Sequence, residues 1–101
     1  MSKQIEKVVV TRHKTLYDYL IKHGHVDDDV RHISHATKED VKGKHVYGIL
    51  PNWLACHAAK LTELQLRLPV NKRNNELTLE EIEWYINKPR TYAIKEVEEN
   101  E

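Results

Sequence analysis

A single cysteine, Cys56, rules out any internal disulfide framework in this chain of 101 residues and fits a reducing, cytoplasmic setting. No apolar run approaches the roughly 18–20 residues that cross a bilayer, so no membrane partner is expected. The opening MSKQIEKVVV has neither an apolar signal region nor a cleavage site, and nothing in it points to export. There are only three glycines and three prolines. No Pro-rich, Gly/Ser-rich or repeated stretch divides the chain. The formal net charge is zero, with 32% charged and 40% apolar residues; a disordered chain would show few apolar residues and a large net charge.

That zero conceals an asymmetry. Residues 96–101 carry four acids, Glu96, Glu98, Glu99 and Glu101, and no base, which leaves residues 1–95 at +4. A domain of that sign can hold an anion, yet the excess is too modest for a general binder of duplex DNA. The expected organisation is one domain over residues 1–97 followed by an acidic tail at 98–101. A domain this small buries about two-thirds of its unfolded surface, which favours self-association as a homodimer.

Apolar periodicity orders the elements. Val8-Val9-Val10 reads as a strand covered on both faces. Leu16, Tyr17, Leu20 and Ile21 then form a helical stripe ended at Gly24. Val30–Ile33 is a short strand, Thr37 with Asp40 caps a brief turn, and His45–Leu50 is a second buried strand. Pro51 suits the first turn of a helix running from Trp53 to Lys60 that is apolar nearly all round and should be covered. The alternation of Leu64, Leu66 and Leu68 with polar residues predicts a strand. Thr78 and Glu81 form a capping box ahead of Leu79, Ile82 and Ile86, and Thr91–Val97 is the last strand. This order predicts an α/β fold, a mostly parallel sheet of about five strands with flanking helices.

In such sheets, ligands sit outside the carboxyl ends of the strands. Two ends carry chemistry. Thr11-Arg12-His13 follows the first strand: Arg12 offers a fixed fork of donors to phosphate, His13 exchanges a proton near neutral pH, and Thr11 adds a hydroxyl. Leu50-Pro51-Asn52 follows another strand, where a helix N-terminus offers N–H groups to an anion. The loop with Asn71, Lys72 and Arg73 could close over the same edge and touch phosphate or adenine.

Other clusters carry less. His23-x-His25 and His32-x-x-His35 lack the three or four convergent ligands of a zinc site. Cys56 and His57 are adjacent on a helix and cannot face each other, so a buried thiol is expected. Tyr47 and Trp53 read as core residues, with stacking on a base the less favoured role. Arg12-His13 also resembles the Arg-His-Gly of the histidine phosphatases, except that Lys14 stands in place of glycine. A phosphate-transfer enzyme of that type is accordingly a distant alternative.

Assembled, these segments resemble a known family. Val8-Val9-Val10-Thr11-Arg12-His13, Asp18-Tyr19-Leu20, Gly48-Ile49-Leu50-Pro51 with Leu54-Ala55, Leu66-Arg67-Leu68-Pro69 and Asn75-Glu76-Leu77-Thr78-Leu79-Glu80-Glu81 are similar, in the same order, to small proteins encoded beside type III CRISPR systems. The resemblance implies a minimal CRISPR-associated Rossmann-like domain and a ring nuclease that degrades cyclic oligoadenylate second messengers, most often cyclic tetraadenylate. It implies cleavage without metal or cofactor at a homodimer interface, giving linear products with 2′,3′-cyclic phosphate ends and switching off type III CRISPR signalling. Arg12 and His13 would be the catalytic pair. Thr11, Lys14, Pro51 and Asn52 would bind ligand, and Asn71, Lys72 and Arg73 would cover it. This chain has Lys14-Thr15-Leu16 where the family has Pro-Gly-Ala, and Tyr19 where the family has Trp. Two other readings remain open: a module that holds the ring without cutting it, and an interaction protein with no nucleotide ligand.

Overall fold

The computed structural model describes residues 5–69 and 77–98. Five strands, β1 (Lys7–Val10), β2 (Arg31–Ile33), β3 (His45–Gly48), β4 (Lys60–Glu63) and β5 (Arg90–Tyr92), form one sheet in the order β2-β1-β3-β4-β5. The first four strands run parallel, and β5 pairs antiparallel with β4. Helices α1 (Lys14–Lys22), α2 (Lys38–Val41), α3 (Asn52–Ala55) and α4 (Leu79–Tyr85) fill the connections. This is the expected α/β fold, a small Rossmann-like domain.

The sheet is covered on both faces, as the unbroken β-branched run of β1 requires. Val9 and Tyr47 point to the face shared by Leu16, Tyr19 and Leu20 of α1 and Ile82 of α4. Val8, Val10 and Val46 point to the opposite face, against Val41 of α2 and Leu54 and Ala55 of α3. Each fully buried side chain of this set contributes about 1.5–3 kcal/mol relative to exposure. On the first face, Glu83 of α4 accepts from both Lys22 and His23 at 2.9 Å, which fastens α4 to the end of α1 and lowers the pKa of the carboxyl.

Local signals explain the helix limits. Gly24 adopts φ +74°, and its N–H bonds Ile21 O while that of His25 bonds Leu20 O, closing α1 with a Schellman pair. Thr78 and Glu81 cap α4 reciprocally, both bonds at 3.1 Å. Asp40 accepts from Thr37 N–H at 2.8 Å at the start of α2.

Five expectations need correction. The helix expected from Trp53 to Lys60 is the single turn of α3, and Trp53 is 70% exposed rather than core. The strand beside β3 is Lys60–Glu63, not the Leu64–Leu68 alternation. That alternation falls on an extended stretch beyond β4, where Leu66 bridges Ile86 and Arg67 N–H donates to Tyr85 O. The last strand is confined to Arg90–Tyr92, and Cys56 is half-buried.

Candidate functional site

The chain reverses direction across the sheet at β1. From there it goes outward to β2, then returns to place β3 on the other side. At such a switch point two crossovers diverge and leave a crevice beyond the strand ends. Here the crevice is a cleft of about 550 Å³. Its walls include Thr11, Arg12 and His13 after β1, Ser34 and His35 after β2, and Gly48, Ile49 and Pro51 at the end of β3. Trp53 of α3 and Leu66 and Leu68 of the extended stretch complete the rim.

Gly48 lets the ends of β1 and β3 meet beside this cleft. It has φ +144°, and a Cβ there would lie 2.1 Å from the carbonyl oxygen of Val10, its neighbour across the β1–β3 pair. No side chain fits that gap, so the two strand ends approach with bare backbone between them.

The Thr11 turn is held on three sides. Its N–H donates to Ile33 O at 3.0 Å, its carbonyl accepts from His32 Nε2 at 2.9 Å, and its hydroxyl accepts from His13 N–H at 3.1 Å. His32 is itself fixed by a stacked contact with Tyr17, ring centroids 4.8 Å apart. The Tyr17 hydroxyl donates in turn to Val30 O at 3.2 Å. This scaffold leaves the Arg12 and His13 side chains exposed at the mouth, with His13 at the N-cap position of α1.

The structure therefore gathers Thr11, Arg12, His13 and Pro51 into one cleft. Lys14 and Asn52 are the exposed first residues of α1 and α3 and do not line it. Asn71, Lys72 and Arg73 lie outside the described residues. Pro51 caps α3 rather than opening its first turn, and one turn supplies little helix dipole. Sequence reading missed Ser34 and weighed His35 only as a metal ligand. The strand-end rule that selected Thr11–His13 would have found them had it been applied to β2.

Away from the cleft, His45 is buried at the opposite end of β3. Burial, together with the charges of Lys60 and Lys7, holds its imidazole down at about 4. It shares a 2.7 Å hydrogen bond with Thr62, which bonds Thr91 at 2.8 Å, so the chain of polar groups ties β3, β4 and β5 together. Among the described residues no three His, Cys, Asp or Glu side chains converge as a metal site would require, and no helix is long and apolar enough to cross a membrane.

Comparison with known proteins finds no curated protein and no solved structure that matches significantly. One family model does match, that of the "Putative CRISPR-associated protein (Cas_VVA1548)", over residues 8–95. That span contains β2 to β5, Val8–Val10 of β1 and every wall residue of the cleft from Val10 to Leu68, and the chain belongs to this CRISPR-associated family.

Proposed function

We propose that the chain is a metal-independent ring nuclease that opens a cyclic oligoadenylate, most readily cyclic tetraadenylate, and so ends type III CRISPR signalling. The observation that carries this reading is the meeting of Thr11, Arg12 and His13 with Pro51 and Trp53 around one cleft at the β1/β3 switch point. Membership of a CRISPR-associated family supports it.

The ligand carries its own nucleophile, a 2′-hydroxyl beside each phosphodiester. The cleft has to hold that oxygen in line with phosphorus and neutralise charge on the phosphate oxygens. The 2′-hydroxyl gives its proton to water as the bond from O2′ to phosphorus forms. The bond from phosphorus to O5′ breaks, and protonated His13 delivers a proton to O5′. Arg12 donates to the non-bridging oxygens, and Thr11 fixes the turn that presents both side chains. Trp53, exposed at the rim, offers an aromatic face to adenine.

Four linked nucleotides exceed one such cleft. Two copies related by a two-fold axis would share a ring of matching pseudo-symmetry. Ile49, 60% exposed, and Trp53 supply apolar surface beside the opening for that contact.

The test is incubation of the protein with cyclic tri-, tetra- and hexaadenylate in EDTA, followed by chromatography of the products. Linear oligoadenylates ending in 2′,3′-cyclic phosphate are expected. Intact rings recovered after long incubation would support instead a binding module. One observation favours that second reading: the His13 side chain is exposed and, among the described residues, makes no hydrogen bond that would orient it.

A further inference from the structure

A second hollow, of about 320 Å³, lies on the β4–β5 side of the sheet, lined by Arg67, Lys88, Arg90, Tyr92, Gln65 and Asn87 together with Glu63. The register explains the clustering. Glu63 and Arg90 are partners across the antiparallel pair, and Tyr92 lies two residues beyond Arg90 on the same face. Glu63, Gln65 and Arg67 follow at alternate positions, so the polar half of the Leu64–Leu68 alternation turns into this hollow. Three cations thus face one carboxylate. No ion pair joins Arg67, Lys88 or Arg90 to an acid among the described residues. Three like charges gathered around a single carboxylate raise the free energy of the protein alone, and a bound anion offsets that cost.

The hollow is also connected. A shallow groove of about 810 Å³ shares Ile49, Leu66 and Leu68 with the main cleft and Gln65, Arg67 and Asn87 with the basic hollow. A ligand leaving the cleft over the Leu66–Pro69 stretch meets the three cations next.

We propose that Arg67, Lys88, Arg90 and Tyr92 form a second phosphate-and-base subsite for a single RNA-like strand that runs from the cleft along this groove. The inference rests on the nucleotide reading of the cleft. Arg67, Lys88 and Arg90 hold phosphodiester oxygens, Tyr92, 42% exposed, stacks a base, and Glu63 accepts from a ribose hydroxyl. The site gives the protein a grip on linear oligoadenylate, so strand length sets affinity for that ligand.

The probes are dye-labelled linear oligoadenylates of two, four and six nucleotides, titrated into wild-type protein, Arg67→Ala/Arg90→Ala and the charge-keeping Arg67→Lys/Arg90→Lys. Thermal unfolding of each variant checks its fold. The wild type should bind the tetranucleotide about tenfold more tightly than the dinucleotide, with a salt slope steeper by about 1.4 for two added phosphates. The alanine variant should lose both differences while binding the dinucleotide as before, and the lysine variant should keep most of the gain. A wild type that binds all lengths alike, or an alanine variant that keeps the gain, overturns the proposal. A charge-dependent length gain in a protein that leaves rings intact would sink the nuclease reading and spare this subsite; ring opening without that gain would do the reverse.

Discussion

His32 Nε2 donates to the carbonyl oxygen of Thr11 at 2.9 Å, so the middle of β2 holds the turn that presents Arg12 and His13. The ring itself is clamped by Tyr17. His32→Ala should therefore cost about 1 kcal/mol of stability and lower ring-opening turnover more than ring binding. Thermal unfolding with paired kcat and Kd measurements checks this. A variant that turns over at the wild-type rate would show that the turn keeps its shape unaided.

Gly48 and Gly24 separate two costs of adding a methyl group. At Gly24, φ is +74° with open space around the Cβ, so Gly24→Ala should cost about 1 kcal/mol. At Gly48 the Cβ would meet Val10 O at 2.1 Å, and Gly48→Ala should cost more than about 3 kcal/mol or prevent folding. Urea unfolding of the pair decides it; equal small losses would mean that β1 and β3 can part without penalty.

His45 gives the fold a pH dependence of known sign. Its folded pKa is about 4, below the ordinary 6.5, so the unfolded chain takes up a proton that the folded chain refuses. The stability from neutral His45 is full above about pH 6.5 and is lost as pH falls towards 4, an effect of order 2 kcal/mol. Unfolding free energies at pH 7 and pH 5 should therefore fall more steeply in the wild type than in His45→Gln. Parallel slopes would mean that the imidazole accepts its proton inside the sheet.

Trp53 is large, apolar and 70% exposed at the cleft rim. If it stacks on adenine, Trp53→Ala should weaken ring binding by about 1–3 kcal/mol with little change in thermal stability. A stability loss without a binding loss would return Trp53 to a packing role.

The parts of this fold legible in the sequence are those where one residue decides the backbone. Gly24 ends α1, Thr78 with Glu81 starts α4, and Val8-Val9-Val10 requires two covered faces. β4 was hidden because Thr62 is buried yet polar, satisfied by His45 and Thr91, so no hydropathy alternation marks Lys60–Glu63. β5 was misplaced because all three of its residues are exposed, and its position is set by pairing with β4 rather than by burial. At the site, Thr11–His13 and Pro51 were legible from strand ends, whereas Trp53 resembled core because apolar neighbours surround it in sequence but not in space.

The most direct test is single-turnover opening of cyclic tetraadenylate in EDTA by the wild type, Arg12→Ala and His13→Ala, each first shown to be folded. The wild type should give a linear product with a 2′,3′-cyclic phosphate end, and each substitution should slow it by at least about a hundredfold. Unchanged rates in both variants, or opening only when a divalent ion is restored, would contradict the assignment of chemistry to Arg12 and His13.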